Sequence, residues 1–217
     1  MENKINFSIF KRVLLLLVLL FIYTFICAFS YSNAVSQDIQ NSVFRLHVIA
    51  NSDSEEDQNL KYIVRDKVLE YINSISENKS SKEDIINFAN KHMKEIQEIT
   101  KTTIYENGYD YSVKLNIGNF AFPTKIYGDI SFPAGYYDAL KIEIGKAKGQ
   151  NWWCVMFPPL CFVDVTSGIV PENSKEIIKE NLSDEEYKLI SQNNNGVNLK
   201  FKIVEMFQNI GIKLAQS

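Results

Sequence analysis

The sequence predicts an α+β domain in which an antiparallel sheet is covered by two helices on one face. Three short segments alternate between apolar and polar residues, as half-buried strands do, and a fourth is continuously apolar. Two longer segments with helical spacing lie between the first and second strands, each preceded by a serine-containing cap. An apolar helix precedes this domain and a helical tail follows it, so the predicted boundaries are 1–34, 35–168 and 169–217.

The N-terminal segment has the pattern of an export signal. Three basic residues fall within the first twelve positions, and residues 13–29 then contain no charge. This apolar run is longer than the core of a typical cleaved signal, about 7–15 residues, and shorter than the roughly 20 residues of a typical membrane-spanning helix. Ser32 and Ala34 are small residues at the −3 and −1 positions of a cut after Ala34, so a cleaved signal and a retained anchor both remain open. Either way the basic end stays inside and the rest is exported.

The charge of the exported part excludes one class of partner. The chain has 23 Lys and Arg against 26 Asp and Glu, and residues 1–34 hold three basic residues and one acidic residue, which leaves about −5 beyond position 34. Binding to the phosphates of nucleic acid needs clustered basic residues. We therefore expect no nucleic-acid partner.

The first predicted strand covers residues 43–50, VFRLHVIA. Alternation places Phe44, Leu46 and Val48 on one face, which suits a core, and Arg45 and His47 on the other.

A sharp turn follows this strand and contains Asn51, Ser52, Asp53 and Ser54. Ser52 with Glu55, or Ser54 with Asp57, matches a capping box at the start of a helix that runs to about residue 72. As a helix cap, Asp53 would contribute about 0.5–2 kcal/mol to stability.

The remaining elements follow in order. A second helix is predicted from the Ser81 capping box to about Tyr105, with His92 partly buried on its apolar side. Strands are predicted at 109–117, 139–144 and 151–157, and the aromatic segment 118–137 is predicted to be an irregular loop. Helical pieces are predicted at 171–179 and 183–190, a linker at 192–196, and residues 199–210 are compatible with either strand or helix.

One group of residues offers a catalytic interpretation. His47 as a base, Asp53 as its orienting acid and Ser52 or Ser54 as nucleophile would make an extracytoplasmic hydrolase. The competing interpretation is ordinary turn chemistry, because Ser and Asp are the residues that a helix N-terminus needs. We expect the second, and therefore no enzyme activity and no cofactor.

Aromatic residues and prolines mark the candidate interaction surfaces. The 118–137 segment contains Phe132, Pro133 and Gly135; it either recognises a protein or packs its own rings. Trp152 and Trp153 are consecutive in a strand, so they point to opposite faces, and one of them is a candidate interface anchor.

The two exported cysteines flank Pro158 and Pro159. Cys154 and Cys161 form either one disulfide or two buried thiols. With only two histidines in the chain, they are too few for a zinc site.

Specific motifs resemble a known family. RLHVIANSDS-x-x-DQ-x-LK-x-x-VRD, then FPAG-x-Y-x-AL, then G-x-NWWCV-x-FPPLCF-x-D resemble stage II sporulation protein R of endospore-forming Firmicutes across residues 43–165. The matching motif positions are our partner-binding candidates: Arg45, His47, Asn51, Ser52 and Asp53; Phe132–Gly135; Trp152–Cys154; and Pro158–Cys161.

The resemblance implies a signalling role. Such proteins are made in the forespore and exported to the space between forespore and mother cell. There they activate a membrane-embedded aspartic protease that cleaves pro-sigma-E in the mother cell. The chain is then expected to be the activator and not the protease.

Overall fold

The structure is a computed structural model that describes residues 2–75, 81–161, 170 and 172–191. Its elements in chain order are α1 (Glu2–Ser42), β1 (Phe44–Ile49), α2 (Glu55–Ile75), α3 (Lys82–Lys91), α4 (Met93–Glu106), β2 (Val113–Phe122), β3 (Lys125–Tyr127), β4 (Ile130–Phe132), β5 (Gly135–Ile144), β6 (Asn151–Phe157), α5 (Glu172–Asn181) and α6 (Asp184–Ser191). The predicted linker at 192–196 and the ambiguous residues 199–210 lie outside the described part.

The main sheet has four strands in the order β2-β5-β1-β6. Two of its three pairings are antiparallel, β2 with β5 and β1 with β6, while β1 and β5 are parallel. A parallel pair needs a long connection, and here it contains α2, α3, α4, β2, β3 and β4. The predicted α+β class is confirmed, and the parallel pair is an addition to it.

The first face of the sheet carries the larger core. Leu46 and Val48 of β1 lie at 0 % exposure and pack with Leu60, Val64 and Val68 of α2. Residues of α3 and α4 complete this layer, among them Ile96. The predicted core face of β1 is therefore the face that the helices cover.

The second predicted helix is divided into two. Ser81 caps α3 as predicted, since its Oγ accepts the Asp84 N–H at 3.1 Å. The helix is interrupted at His92, whose ring stacks on Phe88 at 4.3 Å and lies 3.2 Å from the Tyr71 hydroxyl. His92 is thus a partly buried, hydrogen-bonded residue, and α4 begins directly after it.

The second face of the sheet is covered at the end where β1 begins. The cover consists of the end of α1, the two-stranded β3–β4 sheet, α5 and α6, with Ile39, Phe132, Ile178 and Ile190 as buried members. All six residues of β1 are buried, with Arg45 bonded to Tyr127 of β3 and His47 stacked on Trp153 on this second face. Sequence alternation alone predicts only the first of these two faces as core.

The segment 118–137 is more regular than predicted. β2 continues to Phe122, β5 begins at Gly135, and Phe120 pairs with Tyr137 across them. The short strands β3 and β4 fill the connection. The aromatic rings that obscure strand periodicity in the sequence are partners in this pairing.

Candidate functional site

The turn after β1 is bonded together around Asp57. The Asp57 carboxylate accepts hydrogen bonds from the Asn51 side-chain amide at 2.8 Å and the Ser52 hydroxyl at 2.5 Å. Burial raises the pKa of the Asp57 carboxyl, but hydrogen bonds from Ser52, Asn51 and Tyr111 outweigh burial and leave the pKa below its ordinary value. The carboxylate therefore stays ionised and holds the turn closed.

The same turn is joined to the turn between β5 and β6. Asp53 accepts the backbone N–H of Gln150 at 2.7 Å, and Asn51 accepts the backbone N–H of Lys146 at 2.9 Å. Gly145 lies at φ +57°, and a Cβ there would collide with the Asn51 side chain. Asn51 and Asp53 thus connect segments that are far apart in sequence.

The residue that caps α2 is Ser54. Its hydroxyl accepts the Asp57 N–H at 3.2 Å, while the Asp57 side chain turns to Asn51 and Ser52 instead of completing a capping box. The interpretation of Asp53 as the helix cap is replaced by its bond to Gln150.

The catalytic grouping considered for a hydrolase is not assembled. His47 bonds Asn151 at 2.7 Å through Nε2, and Asp53 bonds Gln150. The hydroxyl of Ser52 donates to Asp57, and that of Ser54 accepts from the helix. Each member has a different partner, so the arrangement offers no base, acid and nucleophile in series.

His47 is held neutral on the second face of the sheet. It is 6 % exposed and stacks on Trp153 with ring centroids 3.7 Å apart. Burial is the main cause that lowers its pKa to about 4, helped by the charges of Lys141 and Arg45 and opposed by the hydrogen bond to Asn151. The buried Nδ1 has no hydrogen-bond partner among the described residues, so a proton there would be unsatisfied.

Arg45 is a fully buried cation. Its guanidinium lies 4.2 Å from the Phe122 ring centroid and 4.6 Å from that of Tyr137, and Nη2 donates to the Tyr127 hydroxyl at 2.8 Å. Tyr127 donates in turn to the Trp153 carbonyl at 3.1 Å. Nε and Nη1 have no hydrogen-bond partner in the described ranges. Arg45 therefore connects β3 to the main sheet, and it presents no surface to a partner in this state.

The motif around Phe132 is also internal. Phe132 is 0 % exposed, and the Pro133 carbonyl accepts the Tyr137 hydroxyl at 2.6 Å. Gly135 faces the Gln40 side chain of α1 so closely that a Cβ there would collide with it. This motif therefore seats the end of α1 on the sheet.

Cys154 and Cys161 are joined by a disulfide with Cα atoms 5.1 Å apart. Between them, Pro158 follows a cis peptide bond, and the Pro159 carbonyl accepts the Ser174 hydroxyl at 3.0 Å. This segment thus attaches α5 to the end of β6. Among the described residues, no group of three or more His, Cys, Asp or Glu is placed to hold a metal ion.

The two tryptophans point to opposite faces, as their positions in the strand predict. Trp153 belongs to the His47 stack, and Trp152 lies at the corner between β6 and α2. The guanidinium of Arg65 lies 4.1 Å from the Trp152 ring centroid, and the Tyr62 ring meets Trp152 edge-on at 5.5 Å. Trp152 Nε1 is buried and lacks a hydrogen-bond partner among the described residues.

Sequence analysis did not single out Tyr62 or Arg65. Tyr62 is 37 % exposed and belongs, with Ile63, Tyr105, Ile126 and Tyr136, to the exposed large apolar side chains in the described part of the folded domain. The available signal was a tyrosine on the polar side of a predicted helix, three residues before an arginine. Their proximity to Trp152 depends on how β6 joins the sheet, which no local pattern predicts.

Comparisons with known proteins identify relatives over most of the folded domain. The profile of the family described as stage II sporulation protein R (spore_II_R) matches residues 40–167. Stage II sporulation protein R of Bacillus subtilis (strain 168) is 38 % identical over 144 residues, which are 65 % of this chain and 64 % of the relative. No solved structure matches. The chain belongs to the stage II sporulation protein R family.

Proposed function

We propose that this protein is an exported sporulation signal, made in the forespore, that activates the membrane-embedded aspartic protease cleaving pro-sigma-E in the mother cell. Its family membership indicates a role in sporulation. The observation that carries the rest is α1, an exposed apolar helix that leads directly into the folded domain.

The first part of α1 suits a lipid environment. Residues 7–31 are exposed throughout, and the most apolar window has a mean hydropathy of 2.8 with 0 % of it buried. Apolar surface of this extent is unfavourable in water. With the basic residues before it kept inside, this helix sends the domain across the forespore membrane.

The last part of α1 belongs to the domain. Ser36 and Ile39 of α1, and Val43 directly after it, are each at most 2 % exposed, and Lys82 donates to the Asn41 carbonyl at 2.9 Å. A cut after Ala34 would leave these contacts in place, so the signalling domain that begins at residue 35 keeps them under either fate of the N-terminal segment. If the helix is retained, about ten residues, or roughly 15 Å of helix, separate Phe29 from Ile39, and the domain lies close to the bilayer.

The domain then has one end near its own membrane and one end away from it. β1 starts beside the end of α1 and runs six residues, roughly 20 Å, to the turn that contains Asn51–Ser54. A partner in the opposing membrane would meet this distal end first. Activation by contact requires that the domain bind the active state of the protease more tightly than the inactive state.

Co-expression of three proteins tests the proposal. The full-length chain, the protease and pro-sigma-E are produced together in a host that lacks all three, and the cleaved sigma factor is measured by immunoblotting. We expect cleavage only when all three are present. A chain lacking residues 1–34, and therefore retained inside, serves as the topology control and should give none. Equal cleavage without the chain, or with the retained form, would overturn the proposal.

A further inference from the structure

We propose that the corner between α2 and β6, formed by Lys61, Tyr62, Arg65 and Trp152 and called here the α2–β6 patch, is the surface that binds the protease. The bound segment is an extracytoplasmic stretch that presents a carboxylate beside an apolar side chain. This inference rests on the proposed function and names the contact surface that the function requires.

The composition and packing of the patch are those of a binding hot spot. Tryptophan, tyrosine and arginine are the residues most enriched at the energetic centres of protein interfaces. Here they are in contact with one another: the Arg65 guanidinium lies 5.1 Å from the Tyr62 ring centroid and 4.1 Å from that of Trp152. The rings restrain the guanidinium, so a ligand that binds it loses little side-chain entropy.

The charges of the patch favour a carboxylate. Lys61 is 2 % exposed, and its ammonium donates to two neutral acceptors, the Gln58 side chain and the Gln150 carbonyl, with the Asp53 carboxylate within electrostatic range. Arg65 lies four residues further on the same helix, where like charges repel. The ion pair of Arg65 with Asp66 is largely exposed on the Asp66 side, at 57 %, so a partner carboxylate can compete with it.

Trp152 supplies a second reason for an acceptor. Its Nε1–H is a buried donor that finds no acceptor within the described ranges, and an unsatisfied donor of this kind carries a free-energy cost. Tyr62 packs edge-on against the indole ring and is 37 % exposed, so this side of Trp152 borders solvent. A carbonyl or carboxylate that enters beside it would satisfy the donor.

The position of the patch agrees with a partner in the opposing membrane. Trp152 pairs with Val48, near the end of β1 that lies away from α1. Tyr62 is in the first half of α2 and Arg65 is at its middle, and α2 begins at this same end. The patch is therefore presented away from the domain's own membrane.

Matched substitutions test the inference in the full-length chain. Arg65→Glu is compared with Lys67→Glu, a charge reversal at an exposed position on the same helix. Tyr62→Ser is compared with Tyr105→Ser, a 77 % exposed tyrosine on α4. The two readouts are co-purification with the detergent-solubilised protease and cleavage of pro-sigma-E in the three-protein system. Thermal melting verifies that each variant is folded.

We expect Arg65→Glu and Tyr62→Ser to weaken co-purification at least tenfold and to reduce cleavage, while both controls stay within twofold of wild type. Trp152→Phe, which keeps a ring and removes the donor, should weaken binding several-fold. Folded Arg65→Glu and Tyr62→Ser variants that bind and signal like wild type would overturn the inference and leave the proposed function standing. A wild-type chain that produces no cleavage would instead overturn the proposed function and, with it, this inference.

Discussion

Asp53 and Gln150 are 97 positions apart in the sequence, yet the Asp53 carboxylate accepts the Gln150 backbone N–H at 2.7 Å. This bond connects the turn after β1 to the turn before β6. Neighbouring backbone bonds reinforce the connection, since Gly149 N–H donates to the Ala50 carbonyl at 3.0 Å. The polar residues of the motif therefore stabilise the distal end of the domain.

The first prediction concerns this bond. Asp53→Ala removes the acceptor and leaves the Gln150 N–H to water, and we expect a loss of about 1–2 kcal/mol in the free energy of unfolding. For a protein of this size, that corresponds to a fall of roughly 2–8 °C in the melting temperature. Asp53→Asn retains a carbonyl oxygen at the same place and should lose less than half as much. Melting of the full-length protein in mild detergent measures both, and an unchanged Asp53→Ala melt would contradict the role given to the bond.

Local patterns predict the elements well and their partners poorly. Alternation in β1 places Leu46 and Val48 on the core face, and the Ser81 cap starts α3 where expected. The residues around Asp53 in the sequence predict a helix cap, but its acceptor role depends on a turn 97 positions away.

The second core illustrates the same limit. Arg45 is buried between Phe122 and Tyr137 with Tyr127 of β3 bonded to it, and His47 is buried against Trp153. Those residues belong to the second core, which α1, the β3–β4 sheet and the C-terminal helices complete. The spacing of apolar residues in 43–50 does not predict that the second face of β1 is covered. The candidate surface at Trp152 likewise depends on Tyr62 and Arg65. These residues are close to Trp152 because β6 pairs with β1 in the folded sheet.

The second prediction concerns the pH dependence of stability. The folded state lowers the pKa of His47 from 6.5 to about 4, mainly through burial. Between these two values the unfolded chain binds the proton more readily, so stability is fully present above about pH 6.5 and falls as the pH is lowered towards 4. The expected loss from this residue is about 3 kcal/mol.

Carboxylates also titrate in this range. The contribution of His47 is therefore measured as the difference in pH dependence between wild type and the His47→Gln variant. The groups that face it are Arg45, Lys141 and Glu143, and they are unchanged in His47→Gln. Urea unfolding of both proteins between pH 7 and pH 4 should give a shallower decline for His47→Gln. Parallel declines would show that the His47 pKa is not depressed in the folded state.

The third prediction separates the volume of Arg45 from its charge. Arg45→Ala leaves a cavity between Phe122 and Tyr137, and we expect a loss of about 2–5 kcal/mol. Arg45→Met fills most of that space and removes two N–H groups that have no partner among the described residues. Replacing a poorly satisfied buried charge by an apolar side chain of similar size is often close to neutral, so Arg45→Met should lie within about 1 kcal/mol of wild type. Urea unfolding measures both, and equal losses for the two variants would mean that the charge itself stabilises the core.

The fourth prediction concerns the bond between Cys154 and Cys161. The two residues are seven positions apart, and the chain entropy of so short a loop gives a stabilisation of about 2.5 kcal/mol. The double variant Cys154→Ala/Cys161→Ala should therefore melt below wild type, and reduction of wild type with dithiothreitol should lower its melting temperature in the same direction. Cys27→Ser is the matched control, because Cys27 is a free, exposed cysteine in the apolar part of α1 and its loss should leave the melt unchanged. If reduction and the double substitution both leave the melting temperature at the wild-type value, the bond does not stabilise the junction between β6 and α5.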